Sequence, residues 1–215
     1  METTESKEET TPKLDKLFQD FISDLKTTYP EFSDKFSELY KDSDVDINLI
    51  LNHCQNVYPE RFFDILYKNE DIFKKDSEAN THFLPNVDFK ELWNLDGVTN
   101  NTKETIWKYL QLIVFNVIEN VEDKSVFGEC EKLFEAINED EFKSKLESTI
   151  SDLENIFDLS SSDLSHNNVD TSNNFQMPNS EDIHNHISGL LQGKLGKLAT
   201  EITEETVQEL DIDLS

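Results

Sequence analysis

The stretch that most constrains the fold is "TIWKYLQLIVFNVIENV", residues 105–121, which is apolar on nearly every side of a helix. Its large apolar side chains are too many to face one neighbour: Ile106, Trp107, Tyr109, Leu110, Leu112, Ile113, Val114, Phe115, Val117, Ile118 and Val121. A helix that is hydrophobic all round is buried in a core or in a membrane. Lys108, Gln111, Asn116 and Glu119 interrupt the run and basic flanks are missing, which argues against a membrane span. We therefore predict a central helix wrapped by others.

Amphipathic segments on both sides of this run predict the helices that wrap it. In the first, apolar residues recur at spacings of three and one, at Leu14, Leu17, Phe18, Phe21, Ile22 and Leu25. Further helices are predicted to begin at Pro30, after the acidic turn 42–46, at Pro59 through "ERFFDILYKNEDIF", and through "SVFGECEKLFEAI". No segment shows convincing strand alternation. The predicted fold class is all-α: an irregular helical bundle with a central hydrophobic helix, plus a flexible linker and a C-terminal helix.

Two capping boxes are predicted at helix N-termini. In this motif the side chain of the capping residue accepts a hydrogen bond from the backbone N–H three positions later, and the side chain of that later residue accepts one from the backbone N–H of the capping residue. Asn101 with Glu104 precedes the central helix. Asn138 with Glu141 precedes the last helix of the body, whose apolar face is Phe142, Leu146, Ile150, Leu153, Ile156 and Phe157.

Composition divides the chain into four parts. Residues 1–12 form a charged acidic tail, residues 13–158 the helical bundle domain, residues 159–180 a polar linker, and residues 181–210 a C-terminal contact helix. The tail and the linker cannot bury enough apolar surface to offset their chain entropy, so both are expected to be flexible. Within the linker, Phe175 and Met177 are expected to be stray apolar residues without a role, with a weak docking spot as the alternative.

The predicted C-terminal helix carries two stripes of side chains. The apolar stripe comprises Ile183, Ile187, Leu190, Leu191, Leu195, Leu198 and Ile202. The small-residue stripe follows one line along the helix and comprises Gly189, Gly193, Gly196 and Thr200. Each interior Gly costs about 1 kcal/mol relative to Ala, and the simplest compensation is a second backbone packed closely against the groove. We therefore predict a partner-binding surface formed by Ile187, Gly189, Leu190, Leu191, Gly193, Lys194, Leu195, Gly196, Lys197, Leu198 and Ile202.

Three neighbours remain open for this surface. They are the protein's own body, a second copy that self-associates through residues 183–202, and a different protein. The competing interpretation is that the glycines make a fraying tail or split the segment into two short helices. Either Asn179 or Ser180 would cap the helix. Binding to a membrane surface is disfavoured, because residues 180–210 carry two lysines against six acids.

The excess of acidic residues limits the kinds of partner that this protein can bind. Asp and Glu number 46 against 19 Lys and Arg, which gives a formal net charge of -27. Direct nucleic-acid binding and binding to anionic membranes are disfavoured, because both depend on Lys and Arg. The charge either keeps the protein soluble or serves the alternative function, an acidic nucleic-acid mimic or chaperone for basic proteins. Arg61, the single arginine, is expected to pair with Glu60 or Asp64 or else to lie in solvent.

No motif points to catalysis, so we expect a non-enzymatic protein with no cofactor and no metal ligands. The "HNH" run at 184–186 sets its two histidines on different sides of a helix, whereas a helical metal pair needs spacing i, i+4. Cys54 falls on an apolar face beside His53 and is expected, like Cys130, to be a buried structural thiol. The run "DSDVDIN" lacks the Gly and the Glu of a calcium loop. A buried cluster of His53, His82 and acids would instead favour an enzyme.

The run "ISGLLQGKLGKLATEITEET" resembles a C-terminal motif, roughly GKxGKLAxEIxEE, of proteins encoded by nucleocytoplasmic large DNA viruses of algae and protists. The segments "VYPERFFDILYKNEDIF" and "TIWKYLQLIVFNVIENV" are similar to uncharacterised acidic helical proteins of these viruses. The resemblance covers most of residues 13–210 and carries no catalytic residue. It implies a viral interaction or structural protein, virion-associated or serving assembly. Because the N-terminal residues lack a signal-peptide pattern, we expect an intracellular location, in the host cytoplasm or the virion.

Overall fold

The computed structural model describes residues 11–41, 44–162 and 177–192. Over these residues the fold is all-α, which confirms the predicted fold class. Its nine α-helices are α1 (Thr11–Thr28), α2 (Ser33–Ser37), α3 (Ile47–Val57), α4 (Phe62–Leu66), α5 (Phe89–Trp93), α6 (Asn100–Ile118), α7 (Cys130–Ala136), α8 (Glu139–Ser162) and α9 (Ser180–Gln192). The described part also contains the 3-10 turns Pro30–Phe32, Glu70–Phe73 and Lys124–Phe127, and one hairpin of strands β1 (Tyr40–Lys41) and β2 (Asp44–Val45).

α6 is the central helix, as its all-round hydrophobicity predicted. Its side chains are buried without a break from Leu110 to Ile118, and α1, α3 and α4 pack against it. Gln111, one of the polar interruptions, donates from its amide to the main-chain oxygens of Ile65 at 3.1 Å and Leu66 at 3.4 Å. It therefore satisfies carbonyls at the end of α4. Within the described ranges, no helix is both long enough and apolar enough to span a membrane.

The N-terminus of α6 is capped by Thr99 and not by the predicted box at Asn101. The Thr99 hydroxyl accepts a hydrogen bond from the backbone N–H of Thr102 at 3.1 Å. Asn101 lies inside the first turn and is exposed. The prediction failed because several polar residues in a row can all cap, and the helix begins at the first one that fits. The cap at Asn138 is confirmed, since its side-chain oxygen accepts two N–H bonds from the first turn of α8, at 2.9 and 3.3 Å.

Two segments predicted as single helices are each broken. The helix predicted from Pro59 forms α4 and then the 3-10 turn Glu70–Phe73. Lys68 lies between them with φ of 50°, a left-handed conformation that a right-handed helix does not continue through. Gly128, with φ of 51°, separates a 3-10 turn from α7 in the same way. Helical turns were predicted correctly on both sides of each break, and the continuity of each helix was not.

The short hairpin was not predicted. Tyr40 of β1 pairs with Val45 of β2. Strands of two residues are too short to show the alternation by which a strand is recognised. The acidic turn does serve as the predicted helix cap, because the Asp46 carboxylate accepts the backbone N–H of Leu49 at 3.1 Å at the start of α3.

The segments predicted to be flexible lie largely outside the described residues. Of the tail 1–12, the structure describes only the last two residues, which begin α1. Of the linker 159–180, residues 163–176 are outside the described part.

Both ends of the predicted linker are structured. α8 continues to Ser162, past the predicted linker start at residue 159. On the other side, Met177 is 7% exposed and belongs to the hydrophobic core. The expectation that Met177 is a stray residue was therefore wrong. Its place in the core comes from its position just before α9, which packs on the body.

Candidate partner-binding helix

α9 is the part of the predicted partner-binding surface that the structure describes, and one side of it packs on the protein's own body. Ile183 and Ile187 are 0% exposed and Leu191 is 3% exposed. All three belong to the cluster that includes the buried residues of α6 and α8, and α9 packs along α8. Over this length the apolar stripe therefore has an intramolecular neighbour, which was one of the three alternatives left open.

The start of α9 is fixed by a side-chain cap. Asn179 accepts the backbone N–H of Glu181 on its side-chain oxygen at 2.8 Å, so of the two predicted candidates Asn179 caps the helix. Glu181 and Asp182 occupy the first turn, where the helix dipole favours negative charge. Met177 is buried just before the cap. The N-terminal end of α9 is therefore attached to the body.

His184 faces α8 and is almost fully buried. It is 7% exposed, and its ring centroid lies 5.5 Å from that of Phe142. Its Nε2 lies 3.8 Å from a carboxylate oxygen of Glu139 and has no hydrogen-bond partner among the described residues. His184 therefore acts mainly as a packed ring, with one acid within electrostatic range.

His186 turns in another direction, toward the segment that follows α6. Its Nε2 lies 2.8 Å from the main-chain oxygen of Val121, so this nitrogen carries the proton and donates it. Burial raises the pKa of the nearby Glu119 carboxyl; the charge of Asp182 adds to this rise, and His186 opposes it. Glu119, Asp182 and His186 thus form an electrostatic cluster where α9 meets the end of α6. The prediction that the "HNH" histidines point apart is confirmed.

Gly189 lies on the side of α9 that faces away from the body. It is exposed, and a Cβ added to it would meet no atom within 4 Å. It stands two residues after Ile187, about 200° around the helix. The body is therefore not the close neighbour that the small-residue stripe was predicted to need at this position.

The remaining predicted partner-binding residues divide into two groups. Leu190 is partly buried and packs against the core, beside the fully packed Leu191. The others lie outside the described residues: Gly193, Lys194, Leu195, Gly196, Lys197, Leu198 and Ile202. The structure thus describes only the first third of the predicted surface. The apolar residues of that third pack against the protein's own body.

The other candidate residues form structural contacts. Cys54 donates to the main-chain oxygen of Phe83 at 3.9 Å. His53 contacts the main-chain oxygen of His82, whose own ring is exposed and lies against Asn80. These contacts tie α3 to the loop before α5. In the described part of the chain, no three His, Cys, Asp or Glu side chains converge as a metal site requires.

Arg61 forms the partly buried ion pair that was one of its two predicted states. Its guanidinium lies 3.0 Å from Glu60 and 3.2 Å from Asp64, and its side chain is 14% exposed. The two acids more than offset its charge, and the pair with Asp64 ties Arg61, the residue before α4, to the first turn of that helix.

Comparison with protein-family models, with curated proteins and with solved structures found no match for this chain. The resemblance to proteins of large DNA viruses therefore stays a prediction.

Proposed function

We propose that this protein is a non-enzymatic interaction protein that docks a protein partner on the outward side of its C-terminal helix. The observation that carries the proposal is Gly189, which is exposed inside a helix with no atom within 4 Å of an added Cβ. A glycine at such a site costs about 1 kcal/mol relative to alanine. No contact within the described part offsets this cost, and close approach of a partner backbone would.

The packing of α9 makes it a suitable docking element. Ile183, Ile187 and Leu191 hold its inner side in the core, so its outer side is presented in a fixed orientation. A binding surface that is already ordered loses less conformational entropy when a partner binds. If the helix continues past Gln192, the small residues Gly193, Gly196 and Thr200 fall in line with Gly189, and they are part of the proposed surface.

We further propose a setting inside a virus-infected cell, where the docked partner would be a component of assembly or of the virion. The support is the resemblance of the C-terminal run and of two body segments to proteins of large DNA viruses.

A second candidate function is that of an acidic nucleic-acid mimic or chaperone for basic proteins. The specific observation in its favour is the first turn of α8, where Glu139, Asp140 and Glu141 are all exposed. Together with the formal charge of -27, such a turn would attract a basic partner at long range.

The test uses one substitution and a matched control on the same side of α9. Gly189→Gln adds a helix-forming, uncharged side chain that blocks close approach, and Asn185→Gln adds the same side chain one turn earlier at another exposed position. Deleting α9 would be a poor test, because it would expose the core that Ile183 and Ile187 cover. Each full-length variant is used to capture proteins from the cells that produce it, with circular dichroism to confirm equal folding.

We expect a partner that is captured by the parent and by Asn185→Gln and lost with Gly189→Gln. Equal capture by all three proteins would contradict docking on this side of α9. If the captured proteins are basic, are released by moderate salt and are unaffected by Gly189→Gln, the second candidate function replaces the first.

A further inference from the structure

Two polar atoms on the side of α9 that faces α8 are buried without a hydrogen-bond partner among the described residues. They are the Nε2 of His184 and the Oγ of Ser188. The two residues are four positions apart, so they lie on the same side of the helix, and His184 contacts α8 through the ring of Phe142. The carboxylate of Glu139 lies 3.8 Å from the Nε2, which is too far for a hydrogen bond.

The Ser188 hydroxyl does not use the partner that a helix itself offers. A helical serine or threonine can donate to the main-chain oxygen four residues earlier. Thr149 of α8 does so, to the oxygen of Lys145 at 2.8 Å, whereas Ser188 does not. A polar atom that is buried in this way loses its hydrogen bonds to water and gains none in the protein. The docked state of α9 is therefore destabilised at two points.

The contacts that hold α9 in place are few. His186 contributes a hydrogen bond to the main-chain oxygen of Val121 at 2.8 Å. Every other residue of the described core lies between Leu14 and Leu153, so the body keeps most of its apolar contacts when α9 leaves. Residues 177–191 supply four buried apolar side chains: Met177, Ile183, Ile187 and Leu191.

We propose that α9 is a reversibly detaching helix, which leaves α8 while the rest of the body stays folded, and that His184 and Ser188 set how often it does so. In the detached state water bonds both polar atoms, which recovers part of the free energy lost with the apolar contacts. Detachment uncovers the ring of Phe142 and the apolar side of α9, so another molecule can reach these surfaces only in that state. The inference concerns the isolated chain and does not depend on whether a partner binds the outer side of α9.

Hydrogen exchange of backbone amides in the full chain, at one pH and over a range of low urea concentrations, tests detachment. The amides from Ile183 to Leu191 are expected to be at least about ten-fold less protected than the slowest amides of α6 and α8. Their protection should also fall less with urea, because detachment exposes less surface than global unfolding. Equal protection and equal urea dependence would overturn the proposal, since α9 would then leave only by global unfolding.

Two variants test the role of the unpaired polar atoms. His184→Phe keeps a ring against Phe142 and removes the Nε2, and Ser188→Ala removes the hydroxyl. Each should raise the protection of the α9 amides, relative to those of α6, about five-fold or more. Asn185→Ala is the matched control, because it makes at least the same gain in helix propensity at an exposed position and should raise protection by no more than about three-fold.

The smaller variant keeps the test decisive. If the larger ring of His184→Phe does not fit the site, Ser188→Ala still removes an unpaired atom without adding any volume. A rise above that of Asn185→Ala in either variant supports the proposal, with circular dichroism confirming equal folding. If neither variant exceeds the control, His184 and Ser188 do not set the detachment of α9 and the proposal is wrong.

Discussion

The burial of the two cysteines predicts that neither thiol is reactive in the folded protein. Cys54 is 0% exposed and Cys130 is 2% exposed. Burial raises the pKa of both thiols, that of Cys130 to about 11. The Cys130 thiol also donates to the main-chain oxygen of Glu60 at 3.0 Å. Because the thiolate is the reactive form, we expect neither residue to act as a nucleophile in the folded protein.

Reaction with an aromatic disulfide reagent at about pH 8 tests this description. An unfolded cysteine has a pKa of about 8.5 and reacts readily there, whereas the raised pKa and the burial keep both thiols neutral and inaccessible in the folded chain. We expect two thiols to react quickly in concentrated urea and almost none without it, with the rate following the unfolding transition. Rapid labelling of one thiol in the native protein would show that its site is open.

The cap of α6 is a second test at a single residue. Thr99→Ala removes the side-chain acceptor for the Thr102 N–H and is expected to lower the free energy of unfolding by about 1 kcal/mol. Asn101→Ala, the matched control, changes an exposed residue of the first turn and should alter it by less than about 0.5 kcal/mol. Urea unfolding followed by circular dichroism gives both values. If Asn101→Ala lowered the free energy of unfolding more than Thr99→Ala, Asn101 would be the cap, as the sequence predicted.

At the scale of the helix, periodicity was a sound guide to which side is buried and a poor guide to where helices break. α1 was predicted because its apolar residues recur at a helical period over many residues, and α6 because it is apolar on nearly every side. The breaks at Lys68 and Gly128 depend on single left-handed residues, and a lysine gives no sign of that conformation in the sequence. Apolar spacing is a property of several turns and therefore predicts which side of a helix is buried. A helix can end at one residue with a left-handed backbone, which apolar spacing does not reveal.

The neighbour of α9 shows a second limit of the sequence. Its spacing predicted that Ile183, Ile187 and Leu191 share one side, and the structure buries all three. The surface that receives them is built from α8, the helix before the predicted linker, and no pattern within α9 identifies that neighbour. For the same reason the sequence could not show that Gly189 faces away from the body, or that Met177 belongs to the core.

The docking of α9 on the body predicts unequal effects of two substitutions that lie two residues apart in this helix. Ile187→Ala removes a fully buried side chain and should weaken docking by about 2–4 kcal/mol, through lost burial and a residual cavity. Asn185→Ala alters an exposed position and should have little effect. Hydrogen exchange of the α9 amides measures the difference as a loss of protection of about 30-fold or more for Ile187→Ala. Equal protection in both variants would mean that α9 is not held by its apolar stripe.

At the scale of the whole molecule, the acid excess opposes folding. The described ion pairs are few and mostly exposed, such as Lys35 with Glu91 at 3.0 Å. Exposed pairs of this kind contribute between 0 and about 1 kcal/mol each. With 46 acids against 19 basic residues, most carboxylates have no basic side chain to pair with. Bringing them together in a folded body raises their mutual repulsion, which the buried apolar core must offset.

Salt should therefore stabilise this protein. The screening length falls from about 30 Å at 0.01 M salt to about 8 Å at 0.15 M, so repulsion between distant acids is reduced more than attraction within the close pairs. We expect Tm to rise by several degrees between these two concentrations and then to level off, as measured by circular dichroism in sodium chloride at pH 7. An uncharged osmolyte at equal osmolarity is the control and should give no such early rise. A fall in Tm over the same range would mean that local ion pairs outweigh the net charge of -27, and the long-range acidic field required by the second candidate function would lose its support.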